Sequence, residues 1–125
     1  MDEIKTFFFD SYAFFEIING NLAYQPYTKS ISIITTKLNL MELHYGLLRM
    51  EGEEEANRIY EEYVRFVIEF SDEDIKEANN FRLKNKKEDL SYVDCIGYIL
   101  ACRNDVKFLT GDSKFRDLDN VEFVK

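Results

Sequence analysis

Four carboxylates stand where a charge needs a reason. Asp10 ends the run "FFFD", Glu42 lies in "NLMELHYG", Asp94 lies in "SYVDCIGYILA", and Asp112 follows "KFLTG". An unpaired charge among buried apolar residues is strongly disfavoured and is either compensated or titrated away. Each acid alone has a plain structural account. Asp is a favoured helix N-cap, and a helix N-terminus stabilises a carboxylate by about 0.3–1 kcal/mol. Gathered on one rim, the four would instead repel one another, and some would stay protonated unless a cation joined them. Hard oxygen donors select Mg²⁺ or Mn²⁺ over zinc. Such ions hydrolyse phosphodiesters by activating water and clamping the attacking and leaving oxygens, with no histidine required.

The rest of the chain supports chemistry by acids because it lacks other machinery. His44 is the single histidine and the five glycines are scattered, so there is no Gly-rich phosphate loop. On a helix His44 points away from Glu42, which makes it a packing residue. There is no Gly-x-Ser-x-Gly elbow. Cys95 and Cys102 are seven residues apart; on one helix they would lie about 10 Å apart along the axis, too far to bond to each other. They match no zinc spacing and are expected to be buried free thiols, as in a reducing cytosol.

These acids need elements to carry them. Lys5 to Phe9 is expected to form a strand, and Asp10 or Ser11 to cap a helix over Tyr12 to Asn19 that stops at Gly20. A loop surrounds Pro26. "SISII", residues 30–34, is a second strand. Thr35 or Thr36 caps a helix from Lys37 to about Glu51, with Leu40, Leu43, Leu47 and Leu48 at helical spacing and Gly46 permitting close packing. A third helix covers 52–66, and Val67 to Phe70 is a short apolar run with strand character. Ser71 and Asp74 resemble a capping box for a helix ending in "RLKNKKE". Ser91 caps a helix from Tyr92 to about Arg103 that is apolar on most sides. "KFLT" at 107–110 and "VEFV" at 121–124 close the set.

Strands that alternate with helices predict one α/β domain over residues 1–125, with a mainly parallel sheet covered by helices on both faces. In such sheets the functional crevice lies beyond the carboxyl ends of the strands, where strand order reverses. Asp10 and Asp112 both emerge there.

Composition bounds the partners. Lys plus Arg number 16 against 24 Asp plus Glu, a net charge of −8, which argues against bulk electrostatic capture of nucleic acid or an anionic membrane. No apolar run reaches the roughly 18 residues that span a membrane. The opening "MDEIKTFFF" carries acids and no cleavage pattern, so no signal peptide is expected and a cytoplasmic protein follows.

The four acid segments, in order along the whole chain, resemble the PIN domain family, of the small prokaryotic kind that includes VapC-type toxins. "FFFDSYAFF" resembles the family's opening strand, Asp, small hydroxyl residue and apolar helix. "NLMELHYGLL" resembles its Glu-Leu-x-x-Gly helix, "LSYVDCIGYILA" its Asp followed by an apolar helix, and "FLTGDSKF" its closing Thr-x-Asp-x-x-Phe. The resemblance implies a Rossmann-like fold and metal-dependent endoribonuclease activity. It implies Mg²⁺ or Mn²⁺ on Asp10, Glu42, Asp94 and Asp112, and Ser11 and Thr110 as supports of the site or the substrate. It further implies a homodimer held by a basic antitoxin. Gly97, and the bulky residues around it, depart from the small-residue helix usual after the third acid.

Local basic groups could hold phosphates within this acidic chain. Arg82, Lys84, Lys86 and Lys87 precede the Asp94 helix, and Lys114 and Arg116 follow Asp112. Each phosphate contact adds salt-sensitive, sequence-independent affinity; the plainer account of the first group is a solvated helix end. Two other readings are kept. One is a catalytically weak module with this fold that acts through a protein partner, which the negative charge favours. The other is a phospho-accepting receiver or phosphatase, ranked last because "DSYAFFEI" has no second acid at the expected offset.

Overall fold

The computed structural model describes residues 4–125; part of the expectation about the amino terminus falls on residues 1–3, outside the described residues. Strand β1 (Lys5–Phe9) leads directly into helix α1 (Ser11–Ile18). Then follow β2 (Ile31–Ile34), α2 (Lys37–Glu51), α3 (Glu53–Tyr63), α4 (Asp72–Lys84), α5 (Tyr92–Arg103), β3 (Lys107–Thr110) and β4 (Val121–Phe123). The four strands form one parallel sheet in the order β2-β1-β3-β4. The connection after β1 runs to β2 on one side and that after β3 runs to β4 on the other, so strand order reverses between β1 and β3. The expected architecture is present.

The phenylalanine run explains both faces of the sheet. Side chains alternate along a strand, so Phe7 and Phe9 enter one core and Phe8 the other. Phe7 and Phe9 pack with Ala13 and Phe14 of α1, Leu40, Leu43 and Leu47 of α2, and Ile59 of α3. Phe8 packs with Ile96, Tyr98 and Leu100 of α5 and with Phe108 and Phe115. Phe8 and Phe108 stack across adjacent strands with ring centroids 5.6 Å apart. Each fully buried ring of this kind contributes about 1.5–3 kcal/mol.

Gly97 is the price of that stack. A Cβ at Gly97 would stand 2.8 Å from the Phe8 ring and 3.1 Å from that of Phe108, so only glycine lets α5 lie this close to the sheet. Gly46 does the same for α2 against the Phe15 ring of α1, as its place in the helix led us to expect.

Several expectations are corrected. Val67 to Phe70 is not a strand: Val67 makes one isolated bridge to Thr35. The two backbone bonds there, Thr35 N–H to Phe66 O and Ile68 N–H to Thr35 O, close no ladder before the chain turns into α4. The stretch around Pro26 is not irregular but a 3₁₀ helix, Leu22–Tyr27, begun by Asn21, whose side chain accepts from the Ala23 N–H. Cys95 is buried, whereas Cys102 is exposed, because in the last turn of α5 only the side carrying Leu100 and Ala101 still meets the core. Leu48, at helical spacing with the buried leucines of α2, is likewise exposed. His44 packs edge-on against Tyr60 and pairs with Asn57 at 2.7 Å.

Candidate active site

Asp10 sits at the carboxyl end of β1, beside the end of β3. Its backbone N–H continues the sheet by donating to Leu109 O at 3.2 Å. The side chain caps α1, with Oδ1 accepting from the Ser11 N–H at 2.9 Å, while Oδ2 accepts from Thr110 Oγ1 at 2.8 Å. The capping account of Asp10 is therefore correct, and incomplete. The residue is only 4% exposed, and burial, then the charge of Asp94, pushes its carboxyl up to about 7, with Glu42 adding to the rise. The two hydrogen bonds pull the other way without cancelling it.

Thr110, fully buried at the end of β3, does two jobs. Its hydroxyl donates to Asp10 and accepts from the Asp112 N–H at 3.1 Å. Asp112 then caps the 3₁₀ turn Ser113–Phe115, accepting from the Lys114 N–H at 3.0 Å. One hydroxyl thus joins two of the acids expected to work together.

Glu42 is held from α1. Ser11 Oγ donates to Glu42 Oε1 at 2.7 Å, and burial, followed by the charge of Asp94, raises the Glu42 carboxyl above its ordinary range against the pull of that bond. Behind Ser11 lies a residue the sequence reading missed. Asn39 is fully buried; its Nδ2 donates to Ser11 Oγ at 3.1 Å and its Oδ1 accepts from Thr36 Oγ1 at 2.7 Å. With its amide so occupied, Asn39 orients the Ser11 hydroxyl toward Glu42. A polar residue four positions before Leu43, on the buried side of α2, was the available signal.

Asp94 comes from the opposite face of the sheet, in the first turn of α5. It completes a capping box, its Oδ2 accepting from the Ser91 N–H at 2.9 Å and its N–H donating to Ser91 Oγ at 3.0 Å. Burial raises its carboxyl, the Ser91 bonds lower it, Asp112 raises it and Lys114 lowers it. Lys114 leans over this edge, its Nζ donating to Asp89 O at 3.1 Å.

The fold thus brings Asp10, Glu42, Asp94 and Asp112 to one edge, where they act on each other's protonation. It does not bring them into a ready-made cage: among the described residues, no three Asp, Glu, His or Cys side chains stand close enough to hold a metal ion. The donor set still fits a hard divalent cation. Three of its carboxyls are pushed toward protonation by burial and like charge, a strain that a bound cation relieves. Glu42, Asp94 and Asp112 each keep one oxygen outside the hydrogen bonds described above.

The PIN domain family model matches residues 7–121, from within β1 to the first residue of β4, and takes in all four acids. No curated protein matches the chain. Among solved structures, a chain of a toxin–antitoxin complex from Klebsiella pneumoniae superposes with a TM-score of 0.72 at 16% identity, covering 91% of this chain and 93% of that one. A chain of DNA-bound VapBC from Salmonella typhimurium gives 0.71 at 16% identity, with 98% of each chain covered. VapBC2 from Rickettsia felis, bound to a DNA fragment from its promoter, gives 0.70 at 16% identity over 95% of this chain and 97% of that one. At such identity these likenesses concern the fold, which they share over nearly its whole length. Since the family match takes in nearly the whole fold, the switch point of its sheet and every one of the four acids, this chain belongs to the PIN domain family.

Proposed function

We propose that this protein is a divalent-metal-dependent endoribonuclease of the VapC type, the toxin of a toxin–antitoxin pair. The observation that carries the reading is the position of Asp10. It is a buried carboxylate at the reversal of strand order, held by Thr110 and facing the charges of Asp94 and Glu42. Folds of this class bind ligands at that place, and a carboxyl raised by burial together with specific charged neighbours is a functional-site candidate.

Asp10, Glu42, Asp94 and Asp112 would hold Mg²⁺ or Mn²⁺. Bound there, such an ion supplies a water of lowered pKa and stabilises charge on the phosphodiester. The chain's own groups prepare the site. Thr110 and the Ser11 N–H fix both oxygens of Asp10, and Ser11 fixes one oxygen of Glu42. Lys114 brings a positive charge to an otherwise acidic edge, where a substrate phosphate would pass.

An acidic toxin suits a basic antitoxin, whose arm would be drawn to the same edge. Three solved complexes that share this fold are toxin–antitoxin assemblies. A homodimer and a cytoplasmic location belong to the same proposal; among the described residues no helix is long and apolar enough to cross a membrane.

The test is Asp94→Asn. The amide keeps the shape and an oxygen for the Ser91 N–H but loses the charge. Cleavage of RNA with Mn²⁺ should vanish while the circular dichroism spectrum stays that of the parent; undiminished cleavage by the folded variant sinks the mechanism.

The second reading, a weakly active module working through a partner, is favoured by the lack of three acids at metal-holding distance among the described residues. Calorimetry with Mn²⁺ separates the two. A module would bind a basic partner stably and take up no metal.

A further inference from the structure

Beside the acidic edge lies a cavity of about 380 Å³, lined by Arg82, Leu83, Lys86, Asp89 and Tyr92 among others. Its size is that of a small-molecule site. Tyr92 opens α5 and stands 65% exposed, a large aromatic ring with no packing reason to be in water. Arg82 is held over that ring. Its Cζ lies 4.4 Å from the ring centroid, and its Nε donates to Leu90 O at 2.8 Å. A guanidinium fixed by the backbone and laid over an aromatic ring is a flat, cationic, preorganised platform.

The charge around it selects the occupant. Between residues 82 and 89 four cations stand against two acids in a chain of net charge −8. The patch continues to the acidic edge through Lys114, whose ammonium bonds Asp89 O at the cavity rim and also acts on Asp94. Aromatic and arginine planes with neighbouring lysines are the means by which proteins take single-stranded nucleic acid. A basic protein partner would be repelled by the same patch.

We propose that the Tyr92–Arg82 platform, with Lys86 beside it, is a subsite for an unpaired nucleotide of the RNA substrate, the base stacking on the platform and a phosphate meeting Lys86. The subsite rests on the nuclease reading and deepens it. Tyr92 and Asp94 are two residues apart on one helix and point to different sides, so a helix width of about 10 Å separates them. Both stand in the first turn of α5, and the subsite therefore takes a base flanking the scissile phosphate.

The test is fluorescence anisotropy with a labelled single-stranded RNA oligonucleotide in EDTA, where no cutting occurs, alongside the same sequence as a duplex. Tyr92→Leu should weaken single-strand binding about tenfold, leave duplex binding unchanged, and raise KM for RNA cleavage with kcat retained. Tyr92→Phe should bind like the parent. Lys86→Gln should lower the slope of log affinity against log salt by about 0.7. Tyr92 is exposed, so a parental melting temperature is expected for each Tyr92 variant. A parent that binds and cuts RNA with Tyr92→Leu indistinguishable from it overturns the subsite and leaves the nuclease reading standing. A Tyr92→Leu variant that loses only a protein partner also overturns the subsite. A parent that neither binds nor cuts RNA overturns both.

Discussion

Thr110 Oγ1 donates a 2.8 Å hydrogen bond to Asp10 Oδ2 across 100 residues of sequence. It joins the ends of the two strands between which strand order reverses. The same hydroxyl accepts from the Asp112 N–H, so removing it disturbs both acids at once. Thr110→Val keeps the shape and loses the hydroxyl. It should cost about 1–3 kcal/mol in urea unfolding, because a buried carboxylate oxygen and a backbone N–H lose their partner. It should also weaken Mn²⁺ binding in calorimetry. A variant as stable as the parent would show that water replaces the hydroxyl without penalty.

Asp10 makes the metal-free protein less stable as pH rises. Its carboxyl is raised from 3.8 to about 7, so between those values the folded state keeps a proton that the unfolded chain has released. The contribution of this group to folding stability is fully present at and below about pH 4, falls as pH climbs toward 7 and levels beyond it, by roughly 2–4 kcal/mol. Glu42 and Asp94 are shifted in the same direction and add to the fall. Melting temperatures in EDTA should follow that curve, and Asp10→Asn should flatten it. At pH 8, adding Mn²⁺ should restore the lost stability in the parent but not in Asp10→Asn; a parent indifferent to Mn²⁺ would argue for the binding module.

Asn39 positions Glu42 through Ser11 and touches no substrate. Asn39→Ala removes two buried hydrogen bonds and should cost about 2–3 kcal/mol. Because Ser11 Oγ would lose its donor and its fixed direction, Mn²⁺ affinity should fall more than it does for Thr36→Ser, which keeps a hydroxyl for Asn39. Equal metal affinity in both variants would confine Asn39 to the core.

Gly97→Ala tests the contact between α5 and the sheet. Alanine favours a helix over glycine by about 1 kcal/mol, yet its methyl would stand 2.8 Å from the Phe8 ring. Overpacking of this kind costs about 1–3 kcal/mol, so net destabilisation is expected in urea unfolding. A stabilised variant would mean that the Phe8–Phe108 stack shifts freely.

Much of the fold was legible because its signals are local. Asp10, Thr36, Ser71 and Ser91 are helix caps, and a cap is recognised from its own residue and the few that follow. Alternation sent Phe7 and Phe9 to one face and Phe8 to the other without reference to anything distant. Val67 to Phe70 misled because a short apolar run carries the same composition whether or not a partner strand is within reach. Cys102 misled because spacing gives the side of a helix, not how far along it the core extends.

The chain's residue types and order determined by themselves which acids end which elements and that the strands run parallel, since hydrophobic period, caps and the βα alternation are written along the backbone. Only the tertiary structure decided that Thr110 holds Asp10, that Asn39 stands behind Ser11 and Glu42, and that Arg82 lies over Tyr92. Each of these depends on a distance between elements, which packing sets. The same packing raises Asp10 to about 7, because a carboxylate's pKa answers to the water it has lost and the charges it faces, and neither quantity exists until the sheet has closed around it.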